Sequence, residues 1–296
     1  VILNQREELS GYLSGRDDRE SLGDILRVST SAGGARAKAV IAWNPITNEF
    51  RSGQTKLPKE FEYWIIKFDG VSNNRDKELA DPQGYGKIEF VYYQMAIRTG
   101  IEMAECRLHY EGGRTHFMTR RFDRDKEGRK IHMQSLSALT HIDYYQPGLF
   151  SYEQTIHVME QLGLSEKEKE QQVLRTIFNV IGRNQDDHVK NIAFLMDMSG
   201  QWFLSPAFDL SYSYDPQGLW TNQHQMSING KRDLFEMEDL LNLAALAGIK
   251  KNRAKEMIEN VVLAIKSWPE LAEKCDIERD RIKKIQATHR LHLLEN

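Results

Sequence analysis

The segment Asn184-Gln185-Asp186-Asp187-His188-Val189-Lys190-Asn191 gathers carboxylates, amides, an imidazole and an ammonium into eight positions. Asp186 and Asn191 stand in a D-x-x-x-x-N spacing. In phosphoryl transfer such a carboxylate accepts the proton of an attacking hydroxyl, and the amide oxygen five residues on binds a metal. A hairpin is predicted next, Ile192–Asp197 and Gln201–Leu204 around Ser199-Gly200, and it runs into Pro206-Ala207-Phe208-Asp209-Leu210. The hairpin returns Asp209 toward Asn191, and two hard oxygen donors so placed suit Mg²⁺. His188 either braces the loop through a ring nitrogen or moves a proton; bracing is preferred, because Asp186 already fills the base role. Lys190 is either a solvated charge or an electrophile on the transferring phosphoryl group, and the spacing does not choose between them.

Matching parts lie upstream. Ser31-Ala32-Gly33-Gly34-Ala35 precedes a strand containing Lys38, and glycines there let backbone N–H groups approach phosphate oxygens. Lys67 ends the apolar run Tyr63–Ile66, where its ammonium can meet phosphates, and Glu89 on the following helix is a natural partner to orient it. Outside these sets, Trp220–Gln225 reads equally as a solvated loop or as a wall of the substrate groove. Lys250, Lys251 and Arg253 read as a solvated helix start.

The elements that must hold these residues change character along the chain. Strand patterns at 37–44, 62–68, 106–110 and 115–119, the last two joined by Glu111-Gly112-Gly113, predict an antiparallel sheet. One helix over 86–99 carries Ile88, Val91, Tyr92, Met95 and Ala96 on one face, with Gly100 at its end. Capping boxes at Ser151/Gln154 and Ser165/Glu168 then open two helices. The second presents Val173, Leu174, Ile177, Phe178 and Ile181 inward and stops at Gly182. Further helices are expected near 236–248, 252–267 and 276–294. This is an α+β, bilobal pattern: a sheet-rich lobe over 29–121 and a helical lobe over 122–296, after an N-terminal extension or truncated remnant over 1–28.

Composition narrows the class. The 296 residues are 40% hydrophobic and 28% charged, ordinary for a globular protein, and 40 Lys+Arg against 43 Asp+Glu give a net charge of -3. That balance offers no basic field to concentrate nucleic acid directly. Cys106 and Cys275 lack metal-site spacing and suggest a reducing, cytoplasmic setting, and no apolar run approaches a membrane span.

The ordered motifs resemble the HipA family of serine/threonine kinase toxins. They are Ser31–Lys38 (SAGGARAK), Ile65–Lys67 (IIK), Arg121–Arg124 (RFDR), Asp186–Asn191 (DDHVKN) and Pro206–Leu210 (PAFDL). The resemblance implies a protein-kinase-like fold with ATP between the lobes, Asp186 as general base, Asn191 and Asp209 as Mg²⁺ ligands, and Lys67 on the phosphates. It puts Arg121 and Phe122 at a hinge facing adenine and Asp123 near the ribose, and makes Ser31, with Ser29 second, a site of autophosphorylation. Many relatives carry a further N-terminal subdomain, for which residues 1–28 are too short. The family further implies a protein substrate, such as an aminoacyl-tRNA synthetase. It also implies a small helix-turn-helix antitoxin through which any DNA contact is made. Two other readings keep part of this pattern: a kinase-like module that holds an antitoxin–operator complex with silent chemistry, and a small-molecule phosphotransferase.

Overall fold

The computed structural model describes residues 37–54, 57–70, 84–111 and 113–294. They divide into two compact units, one of residues up to Phe90 with Ala104–Ile131, the other of Val91–Met103 with His132 onward.

In the first unit, β1 (Lys38–Trp43), β2 (Phe50–Ser52), β3 (Glu62–Lys67), β4 (Cys106–Glu111) and β5 (Arg114–Arg120) form an antiparallel sheet in the order β2-β1-β3-β5-β4. Alternation explains the pairing: Ala39, Ile41, Trp64, Ile66 and Met118 point to one face and are almost wholly withdrawn from water. Each such large side chain contributes on the order of 1.5–3 kcal/mol relative to exposure. The register sets Lys38 opposite Lys67 and Lys67 opposite Phe117. Helix α1 (Tyr85–Arg98) begins against this sheet, and its apolar stripe Ile88, Val91, Tyr92, Met95 and Ala96 is fully buried. The division between the units falls within this helix, after Phe90.

The first compact unit extends to Ile131. The reason is local: Arg121 N–H donates to Tyr63 O at 2.8 Å, Ile131 N–H to Asp123 O at 3.0 Å, and Gly128 lies against the Tyr63 ring. Residues 121–131 therefore fold back onto β3.

The second unit is mainly helical. It contains α2 (Leu136–Thr140), α3 (Tyr152–Gln161), α4 (Glu166–Ile181), α5 (Met237–Leu246), α6 (Lys251–Lys266), α7 (Trp268–Lys274) and α8 (Arg279–Gln286). Both expected capping boxes form, at Ser151/Gln154 and Ser165/Glu168. A small sheet joins β6 (His132–Ser135), β7 (Ala193–Met196) and β8 (Trp202–Leu204). The single helix expected over 276–294 is shorter: α8 ends at Gln286, and α7 precedes it across Asp276, whose φ of 52° interrupts helical geometry. Among the described residues no helix is long and apolar enough to cross a membrane.

Candidate active site

Helix α4 delivers the catalytic-loop candidates. Gly182 ends it because any side chain would collide: a Cβ would lie 2.9 Å from Phe178 O and 3.3 Å from the Tyr92 ring. The left-handed residue is the next one, Arg183, with φ of 58°. The polar loop then passes through a 3₁₀ turn, Val189–Asn191, into β7. The β7–β8 hairpin pairs Phe194 with Leu204, and Ser205 N–H donates to Ala193 O at 3.0 Å. The chain thus leaves the hairpin two residues from Asn191. Ala207 N–H bonds Glu102 O at 2.8 Å, and buried Ala207 and Leu210 fix the segment that carries Asp209. Asp209 adopts φ of 58°, a conformation aspartate tolerates better than most residues.

The two adjacent aspartates differ in environment. Asp187 is 3% exposed; its Oδ2 accepts from Tyr152 OH at 2.7 Å and His224 Nδ1 at 2.8 Å, and its Oδ1 from Gln225 N–H at 2.8 Å. Burial pulls its pKa up, but these donors prevail and hold it below the ordinary carboxylate range. Asp186 keeps 41% of its side chain open. Its Oδ1 accepts from Trp220 Nε1 at 2.7 Å, with His188 Nε2 at 3.7 Å. Removal of surrounding water raises its pKa, the nearby charges of Asp209 and Asp187 add to the rise, and His188 and Trp220 oppose it.

Asn191 donates its amide N–H to Asp186 O at 2.9 Å, which leaves the amide oxygen as its acceptor. Asn191 and Asp209 line one cavity with Asp187, His188 and Arg175. Oxygen donors of this kind fit a hard divalent cation. Among the described residues no three His, Cys, Asp or Glu side chains group as a metal site.

His188 packs edge-on to Tyr144 at 5.4 Å and to Trp220 at 6.5 Å. Lys190 is exposed and places Nζ 3.9 Å from the centre of the Tyr144 ring. In the first unit, Lys67 Nζ donates to Glu89 Oε1 at 2.5 Å, with Glu89 only 1% exposed. Asp123 is buried, and its carboxylate accepts from Arg121 Nε at 2.7 Å, from Arg121 Nη2 and from Arg124 Nη1 at 2.9 Å. Burial would raise its pKa, yet Arg121 and then Arg124 hold it low. A ribose contact expected of Asp123 would have to compete with both arginines, while Phe122 sits between the two halves of this ion cluster in sequence. Ser29, Ser31, Gly33 and Gly34 lie outside the described residues.

Sequence reasoning did not single out Tyr152, Asn179 and Arg290, which support the loop. Tyr152 also accepts from Asn179 Nδ2 at 3.1 Å. The one available signal was the polar-aromatic run Trp220–Gln225, which supplies Trp220, His224 and Gln225 to the aspartates.

Residues 30–268 match the model of the HipA-like C-terminal domain. The chain is similar to HipA of Shewanella oneidensis MR-1, solved in a toxin–antitoxin complex with HipB and its operator DNA. The TM-score is 0.62 at 17% identity, over 98% of this chain and 69% of that one. It is also similar to the proinflammatory kinase CtkA of Helicobacter pylori, with a TM-score of 0.48 at 12% identity over 79% of this chain and 89% of that one. No curated protein matches it. The likeness to HipA shows a shared fold, and because the domain model spans most of the sequence, the chain belongs to the HipA-like C-terminal domain family.

Proposed function

We propose that this protein is an ATP- and Mg²⁺-dependent serine/threonine protein kinase of a HipA-type toxin–antitoxin system. The observation that carries the reading is the contrast between the neighbouring aspartates. Asp187 has both oxygens engaged by buried donors, whereas Asp186 presents a partly open carboxylate whose Oδ1 is held by Trp220. That leaves Oδ2 of Asp186 to receive the substrate's proton. The acceptor hydroxyl oxygen attacks the γ-phosphorus, its proton passes to Asp186, and ADP leaves. Asn191 and Asp209 would hold Mg²⁺, which neutralises charge on the phosphates. Lys67, oriented by Glu89, would contact nucleotide phosphates, and Lys190 would meet the transferring group. His188 orients Asp186 from one side, the bracing role.

The finer parts of the reading are a protein acceptor, an aminoacyl-tRNA synthetase being the first to test, and autophosphorylation of Ser31. They extend to a small helix-turn-helix antitoxin that makes any operator contact and to a cytoplasmic setting, in keeping with two cysteines that form no disulfide.

The test is intact mass of the protein after incubation with ATP and Mg²⁺, together with label transfer to host proteins. We expect phosphoryl increments and labelled acceptors, both abolished by Asp186→Asn and by Asp209→Asn. Transfer that survives both substitutions would overturn the assignment, and nucleotide binding without any transfer would favour a silent module.

A further inference from the structure

A chain of buried polar contacts runs from the last described segment to the catalytic loop. Arg290 follows α8 and lies beyond residue 268, where the domain match ends. It is 3% exposed, and its backbone N–H donates to Ile181 O at 3.0 Å. Its Nη1 donates to Val180 O at 2.9 Å and lies 2.8 Å from His224 Nε2, and its Nη2 donates to Asp233 Oδ1. The Arg290 guanidinium and the His224 ring both pack on Phe235. His224, fully buried, reaches Asp187 Oδ2 with its other nitrogen at 2.8 Å.

Donor chemistry fixes the imidazole. A guanidinium has five N–H donors and no acceptor. A contact of 2.8 Å between Arg290 Nη1 and His224 Nε2 therefore requires a lone pair on Nε2, which an imidazolium lacks. The proton of the neutral ring must then sit on Nδ1, where it donates to Asp187. With Arg290 in place, His224 is a one-way relay: it receives at Nε2 and donates at Nδ1. Burial lowers the Arg290 pKa to about 10, with Arg183 contributing, so the guanidinium keeps its charge at neutral pH.

The same segment grips the exit of α4 at other points. Arg183 Nε donates to Thr288 O at 2.8 Å, and Tyr92 OH lies 3.0 Å from His289 Nε2 while it donates to Gly182 O at 2.5 Å. Residues 288–290 thus fix both the backbone that enters the loop and the ring that holds Asp187.

We propose that Arg290 is a positioning residue for phosphoryl transfer, which holds His224 in its Nδ1–H form and, through Asp187, sets the orientation of Asp186. This inference rests on the kinase reading for its catalytic consequence, but not for the state of the ring.

Two measurements separate the two claims. Nitrogen-15 spectra of the imidazole rings, with His224 assigned by its loss in His224→Asn, report which nitrogen carries the proton. The wild-type protein is expected to show His224 protonated at Nδ1 alone, and Arg290→Met to lose that signature. In the kinase assay, Arg290→Met is expected to lower kcat by roughly 10–100-fold, the range seen when groups that orient active-site residues are removed, with the KM for ATP nearly unchanged. Arg290→Lys, which keeps the charge and N–H donors on a single nitrogen but not the planar fork, should recover part of both. A wild-type His224 protonated at Nε2 overturns the proposal, as does an Arg290→Met protein that changes the ring signature but not kcat. If Arg290→Met does not fold, Arg290→Lys alone decides, because a ring signature and kcat both identical to wild type show that the fork geometry is not needed. A wild-type protein that transfers no phosphoryl group sinks the kinase reading while the spectra still report on the ring.

Discussion

Asp186 gives one oxygen to the Trp220 indole, and this contact both orients the carboxylate and stabilises its charged form, since the indole N–H can only donate. Trp220→Phe removes the donor and keeps most of the ring, including its packing near His188 and Tyr145. We expect kcat to fall roughly tenfold, the loss of one hydrogen bond to a charged group at about 1.5 kcal/mol. Thermal stability should change little. A Trp220→Phe enzyme with wild-type kcat would remove the indole from the mechanism. At this scale the spacing to Asn191 puts Asp186 forward in the sequence as the candidate base. What it did not carry was why Asp187 is different. Its partners Tyr152 and His224 stand 35 positions before and 37 after it, and no local pattern announces a contact that only the folded helices create. Arg290 was less legible still, since an arginine near the end of a helical stretch reads as a solvated charge until its burial is known.

The placement of Glu89 depends on how α1 meets the sheet. Asp69 prepares that junction: its carboxylate accepts from Gly84 N–H at 2.8 Å just ahead of the helix, and its own N–H donates to His116 Nδ1 at 3.0 Å. Gly86 then lies so close to β5 that a Cβ would stand 2.8 Å from Thr115 O, a backbone atom that cannot rotate away. Gly86→Ala must push the helix start off the strand, at a cost of about 1–3 kcal/mol for overpacking, and it carries Glu89 away from Lys67 as it does so. The expected result is a lower unfolding midpoint together with weaker nucleotide binding, read by calorimetry against Ala at an exposed helix site. An unchanged midpoint would show that the junction yields without strain. Elements of this kind were largely readable: the apolar stripe of α1, both capping boxes and the β7–β8 hairpin follow from periodicity and turn residues. The short β2 and β6 were not, because three or four residues carry too little alternation. The break between α7 and α8 depends on a left-handed Asp276 that composition does not mark.

Across the whole molecule, acid stability is set by histidines that fold in neutral form. His116 in the first unit is 1% exposed, and burial, with His109 and Arg114 adding, lowers its pKa to about 4. His289 in the second unit is lowered to about 3, by burial first and then by Arg183. Unfolded, each would titrate near the ordinary value of about 6.5. Below that pH the unfolded chain binds a proton that the folded chain refuses, so stability falls as pH drops, by about 1.4 kcal/mol per pH unit for each ring. The effect is absent above pH ~7 and ends where the folded rings themselves protonate, near the two lowered values. The carboxylates held low, Asp123, Asp187, Asp233 and Asp239, act in the same direction, since there too the unfolded chain binds protons that the folded chain refuses. Their contribution is complete above about pH 5 and is lost below it, so they add nothing to the slope between pH 7 and pH 5. Between pH 7 and pH 5 the two rings together should therefore cost about 4 kcal/mol, a large share of the 5–15 kcal/mol typical of a folded domain. Denaturant titrations at pH 7, 6 and 5 measure this directly. His116→Asn keeps an acceptor toward Asp69 N–H, and His289→Gln keeps an N–H donor toward Tyr92 O, whose own proton goes to Gly182 O, so the double variant should hold its fold and lose most of the slope. A wild-type stability that is flat from pH 7 to pH 5, or a slope the double variant retains, would mean that these rings are not what ties the molecule to neutral pH.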